Sequence, residues 1–167
     1  MFLIVMTIFR RFLVFAVLCF WQGGFVFFSG VAVPIGRDLL GARSAQTKIT
    51  SRVSNYINLA GAASLVPLLW DVFAPDPSAR RRWLRLVVWA VLLITLLAQF
   101  YLYREMNAVV DEIIAGSDPP QFPLQHKAYL WISTVQLAAA IGYVICALLA
   151  WRAQDRAEGK AASGTSA

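Results

Sequence analysis

Four side-chain amides fall one to each of four long apolar runs. Gln22 lies in residues 12–35, Asn58 in 53–73, Gln99 in 86–103 and Gln136 in 128–151. An amide donates and accepts hydrogen bonds but does not ionise. In hydrocarbon it must find a partner or water, because leaving it bare is costly. The chemistry open to such a set is recognition, either between helices or of a polar solute. Candidates for acid–base or nucleophilic chemistry are few. His126 is the only histidine, and no Ser/His/Asp order, glycine-rich phosphate loop, HExxH or paired intramembrane carboxylates accompany it. A metal centre would need His126 with Glu105, Asp111 or Glu112, at spacings that match no ligand pattern. Cys19 and Cys146 lie inside apolar runs without a CxxC and read as small hydrophobes. No cofactor or metal is expected.

Helical wheels at about 100° per residue show which polar groups share a face. On the fourth helix, His126, Tyr129, Ser133, Gln136, Ala140 and Tyr143 form one stripe. On the second, Lys48, Ser51, Arg52, Asn55 and Asn58 share an arc that continues through Ala62, Leu65, Val66 and Leu69. Gln22 and Ser29 share a face of the first helix, with Arg37 just beyond. Gln99 lies with Tyr103, Met106 and Val110 on the third. Polar groups avoid lipid, so these faces turn inward. The expected site is a polar core in the outer half of a bundle. It holds Gln22, Asn55, Asn58, Gln99, Tyr129, Ser133 and Gln136, with Arg52 and His126 at its rim. Two readings stand. The amides and hydroxyls bond one another and specify helix packing, or they line an outward-facing pocket for a small polar molecule. The inner half reads as sealed by apolar side chains.

The elements that position these groups follow from composition. The 167 residues are 59% hydrophobic and 14% charged. Soluble domains average about 45–50% apolar and about 25% charged. The four runs each reach the roughly 20 residues that cross a bilayer. The reading is an all-α, polytopic membrane protein: an antiparallel bundle of four transmembrane helices in one domain, 1–157, with a disordered tail, 158–167. The first run extends past a signal-peptide core and predicts an uncleaved helix, with residues 1–9 interfacial or Met6 as the true start. Asp76, Pro77 and Ser78 read as a helix start, a capping carboxylate followed by proline in the first turn. The helix pattern then runs to residue 115 and stops at Gly116. The second helix begins near Ser44.

The net charge of +6 does not imply nucleic acid, because the basic residues cluster at run ends. Arg10, Arg11, Arg80, Arg81, Arg82, Arg85, Arg152, Arg156 and Lys160 fall on one side of a four-span path. The smaller group of Arg37, Arg43, Lys48, Arg52, Arg104 and Lys127 falls on the other. This places both termini in the cytoplasm and the protein in the inner membrane. The bilayer is the expected partner, with anionic lipid headgroups at Arg80, Arg81 and Arg82. The six tryptophans read as interfacial anchors, and Gly23-Gly24, Gly30, Gly61-Ala62-Ala63 and Ala138-Ala139-Ala140 as small residues for close helix contacts. Oligomeric state is open.

Trp21-Gln22-Gly23-Gly24-Phe25-Val26-Phe27-Phe28, followed by Val33-Pro34, resembles the transmembrane protein 205-like family of small four-helix membrane proteins. The likeness returns at Phe122-Pro123-Leu124-Gln125-His126 before Tyr129. It implies the fold, a membrane location and some role with small solutes. One eukaryotic member is linked to platinum-drug resistance, but Asn55, Asn58 and Gln136 are closer to bacterial proteins of similar layout. A second group, the anthrone-oxygenase-like membrane proteins, is similar in size and has an Asn after its third span, where Asn107 lies. Three functions follow as expectations. The first is binding or helping to move a small polar molecule. The second is a structural subunit of a larger membrane assembly. The third is an oxygenase-like enzyme using His126 with Arg52 or Glu105.

Overall fold

The computed structural model describes residues 2–40, 43–76, 78–117 and 119–164, and is all-helical over them. The first apolar run forms α1 (Phe2–Phe27), a π-helical turn (Phe28–Ala32) and α2 (Val33–Leu40), in one continuous rod. Pro34 explains the π-turn. Proline has no N–H, and its ring conflicts with the carbonyl four residues back, here Gly30. The wider turn spans that carbonyl and absorbs the conflict without ending the helix. The next helix, α3, covers Arg43–Val72 and contains Pro67. After a short connection come α4 (Ala79–Ala108), the single turn α5 (Val110–Ile114) and α6 (Phe122–Gly164).

Two boundaries differ from those read in the sequence. Ser78, not Asp76, is the N-cap of α4: its side chain accepts from Arg81 N at 3.5 Å, while Asp76 accepts from Ser78 N at 2.8 Å. Pro77 lies outside the described residues. The third helix is also not continuous to residue 115. It breaks at Val109 (φ −105°, ψ 5°) before α5. Gly116 then turns the chain at φ +94°, a conformation that L side chains rarely adopt. The last helix continues to Gly164, and 165–167 lie outside the described residues.

Three helices are long and apolar enough to cross a membrane: Val5–Leu40, Ala79–Ala108 and Phe122–Gly159. This marks a helical membrane protein. The run 53–73 within α3 is not among them. Asn55, Asn58, Ser64 and Asp71 dilute its hydropathy, and the last three are buried against the other helices rather than exposed to a surrounding medium.

Packing runs from α1 to α3, α3 to α4 and α4 to α6, with slighter contact between α1 and α6. The core cluster takes Val14, Leu18 and Trp21 from α1, Leu65, Leu68 and Val72 from α3, Leu92 and Leu96 from α4, and Ala140, Tyr143, Ala147 and Trp151 from α6. Gly61 sets the approach of α1 to α3. A Cβ there would stand 2.5 Å from the Trp21 indole, so only glycine lets that ring lie against the α3 backbone. The contact also sets the rotation of α3. Its buried stripe is Asn58, Gly61, Leu65, Leu68 and Val72. Ala62 and Val66, read as part of the inward arc, are exposed. Trp21 and Trp151 are correspondingly core residues, not anchors, whereas Trp83 and Trp131 stay exposed.

Candidate functional site

Each end of the molecule gathers its own polar groups. At the end formed by α2, the start of α3, the end of α4 and the start of α6, a cavity of about 660 Å³ opens. Ligand sites for small molecules range over about 300–1,000 Å³. The first rod contributes Phe25, Phe28, Ser29, Val33 and Arg37. The most polar wall is α3, with Gln46, Thr47, Thr50, Ser51, Ser54 and Ile57. Tyr103, Met106 and Asn107 come from α4, and Val110 from α5. Phe122, His126, Tyr129 and Leu130 complete it from α6. Helical spacing explains the wall on α3: residues 47, 50, 51, 54 and 57 recur every three or four positions and so share a face.

Several of these groups hold one another in place. Ser51 Oγ donates to Asn107 Oδ1 at 2.6 Å, tying α3 to α4 at the rim. Gln46 Nε2 donates to Val33 O at 3.5 Å and to Thr50 Oγ1 at 3.4 Å, tying α3 to α2. His126 stacks on Phe122, with ring centroids 6.0 Å apart and 9° between planes. It is exposed and makes no hydrogen bond or ion pair among the described residues. A general base needs an orienting partner and a substrate proton within reach. Among the described residues no carboxylate or arginine is bonded to His126.

Of the residues read as a site from sequence, only His126 and Tyr129 line this cavity. Asn58, Gln99, Ser133, Gln136 and Gln22 form a buried polar layer away from its walls. Tyr129 joins the two, because its hydroxyl donates to Asn58 Oδ1 at 3.2 Å. Gln99 Nε2 donates to Ser133 Oγ at 2.8 Å, and Ser133 Oγ donates to Tyr129 O at 2.8 Å. Gln136 Nε2 reaches Thr95 Oγ1 at 3.3 Å. Gln22 is 7% exposed, and neither of its amide atoms has a partner. Arg52 is exposed and Asn55 half-buried, and neither enters the cavity or the layer. The rotation imposed by Gly61 and Trp21 turns them aside and brings Thr50, Ser54 and Ile57 inward instead.

The opposite end departs most from the sequence reading, which sealed it with apolar side chains. Asp71 is fully buried and sits at the centre of an ionic cluster. Arg85, 1% exposed, donates from Nη1 to Asp71 Oδ2 at 3.0 Å and to Asp71 O at 2.8 Å. From Nη2 it donates to Asp76 Oδ2 at 3.2 Å. Arg10 Nε pairs with Asp71 Oδ1 at 3.2 Å, and Trp151 Nε1 donates to the same oxygen at 3.0 Å. The Tyr143 hydroxyl lies 2.7 Å from Leu68 O and 3.3 Å from Asp71 Oδ2. Arg81 pairs with Asp76 at 3.0 Å. Every long helix contributes to this cluster. In the sequence Arg10 and Arg85 serve as topology signals, and Asp71 has no assigned role. The available signal was an aspartate inside an apolar run with arginines on neighbouring elements, because a charge in such a place needs a partner.

No known protein family, curated protein or solved structure matches this chain.

Proposed function

We propose that this protein is a four-span, antiparallel bundle of the inner membrane. In this reading both termini are cytoplasmic, and the cavity between α2, α3, α4 and α6 is an outward-facing site that binds a small molecule or helps to move one. The path counts α3 as a span because Asn58, Ser64 and Asp71 are buried against the other helices, where Asn58 accepts from Tyr129 and Asp71 is paired with arginines, which is how intramembrane polar residues are tolerated. The arginine distribution supports the orientation. The likeness to the transmembrane protein 205-like family accords with this layout: its first motif supplies Trp21, Phe25 and Phe28, and its second supplies His126. Arg80 and Arg82 are exposed for anionic headgroups, while Arg81 is engaged by Asp76 and also lines a groove with Arg152 and Arg156.

The observation that carries the binding reading is the cavity of about 660 Å³ walled by side chains from all four long rods. Native mass spectrometry of the full chain released from membranes tests it. A bound species lost in Ser54→Trp, which fills the cavity from α3, is the expected result. A bare chain in wild type and variant alike overturns it.

A second reading concerns the deeper amides. The Gln99–Ser133, Tyr129–Asn58 and Gln136–Thr95 bonds join helices within one chain. They favour a packing role for that layer, as in a structural membrane subunit, while the cavity above it does the binding.

A further inference from the structure

The cavity is not closed on all sides. At the Asp71 end α1 and α6 are held together: Arg11 pairs with Asp155 at 2.7 Å, Arg10 reaches Gln154 at 3.4 Å, and Phe15 meets Trp151 edge-on at 5.4 Å. Toward the His126 end the two rods part. The π-turn and α2 pack on α1 and α3, and neither packs substantially against α6. Phe28 and Ser29 of the π-turn and Phe122 and Leu130 of α6 all line the cavity. In the four-span reading, such a gap between two membrane-crossing helices faces lipid.

The charges are one-sided. Arg37 lines the cavity and makes no hydrogen bond or ion pair among the described residues. Among the described residues that line it there is no aspartate or glutamate. A guanidinium without a partner is a ready fork for a carboxylate or a phosphate. Phe28, Phe122 and Leu130 offer rings and a branched alkyl group. A small neutral solute would leave both the charge and these apolar walls unmatched, and Arg37 repels a cation.

We propose that the cavity takes an amphipathic anion: a carboxylate or phosphate headgroup at Arg37, carried on a single alkyl chain that lies along Phe28 and Leu130 and enters sideways between α1 and α6. This rests on the reading of the cavity as a binding site. The π-turn has a part in it. It carries Phe28 and Ser29, both of which line the cavity, and such turns are frequent at functional sites.

The test is retention of radiolabelled dodecanoate by the full chain in phosphatidylcholine nanodiscs, against empty nanodiscs. Binding should saturate and be displaced by dodecyl phosphate. Dodecanol and dodecylammonium should compete about tenfold more weakly or worse, and acetate and inorganic phosphate should not compete. Arg37→Gln should weaken dodecanoate by about tenfold, Arg37→Lys should restore part of that loss, and Ser29→Trp or Leu130→Trp should abolish retention by filling the gap. Circular dichroism confirms that each variant used is folded. If dodecanol binds as well as dodecanoate and Ser29→Trp abolishes both, the anionic class is wrong and the binding site stands. Acetate or phosphate competing as well as dodecyl phosphate would mean a free anion from water, which overturns the lipid-side route. Absence of retention, or retention indifferent to both tryptophan variants, overturns this proposal; the binding reading falls with it only if native mass spectrometry also shows a bare chain.

Discussion

Single residues divide into those whose polarity is matched and those whose polarity is not. Asp71 belongs to the first group, with two arginines and an indole on its carboxylate and a tyrosine hydroxyl beside it. Removing one member of a buried ion pair leaves its partner uncompensated, which costs about 3–5 kcal/mol. Asp71→Asn should therefore lower the thermal unfolding midpoint of the detergent-solubilised protein sharply. A double-mutant cycle with Arg10→Met should recover part of the loss, because Arg85 keeps Asp76 while the charge orphaned at Arg10 is then gone. Gln22 is the opposite case, a buried amide with no partner. Gln22→Leu removes a desolvated polar group and should stabilise the fold by about 1–3 kcal/mol in the same assay. Gln99→Leu, which takes a donor from Ser133, should destabilise it. Opposite signs from two amides of similar depth would separate matched from unmatched polarity.

Elements are held to one another by contacts that local pattern does not announce. Gly61→Leu drives a side chain into the Trp21 indole, so α1 must retreat from α3 or rotate. Overpacking of this kind costs about 1–3 kcal/mol, and the displaced indole should shift its fluorescence to longer wavelength. Tyr143 ties α6 to the Leu68 carbonyl, one residue beyond Pro67. The same stretch of α3 is also held by Trp89 Nε1 donating to Leu65 O at 3.0 Å. Proline cannot donate within its helix, so this segment lacks one rung of its own ladder. Tyr143→Phe should make its amides exchange hydrogen faster while leaving α4 unaffected, as measured by residue-resolved hydrogen exchange.

The molecule as a whole is wedge-shaped in its bonding, closed by charge at the Asp71 end and open at the His126 end. Its path through the bilayer has a direct test. In a background where Cys19 and Cys146 are alanine, Ser117→Cys should react with an impermeant maleimide on intact spheroplasts. Ala157→Cys should react only after lysis. If α3 lay along the outer surface instead of crossing, the pattern would invert, with Ser117→Cys protected and Ala157→Cys labelled.

Much of the arrangement was legible in the chain. The stripe from His126 through Tyr129, Ser133 and Gln136 to Tyr143 does face inward, because periodicity alone places residues three and four apart on one side of a helix. The same holds for Tyr103, Met106 and Val110 at the cavity. The chain also points to long apolar helices, four by its runs, of which three have membrane-crossing length and apolarity among the described residues. Three things were decided only in three dimensions. The rotation of α3 depends on Trp21 meeting Gly61, a contact 40 residues apart in sequence, and it moved Arg52 and Asn55 off the site. The partners of Asp71 come from α1, α4 and α6, so its burial could not be inferred from α3 alone. The cavity that Arg37 lines depends on how the rods pack, with the π-turn and α2 meeting α1 and α3 but not substantially α6. A helix pattern specifies which residues share a face; which neighbour that face meets, and at what angle, is set by side chains on other helices.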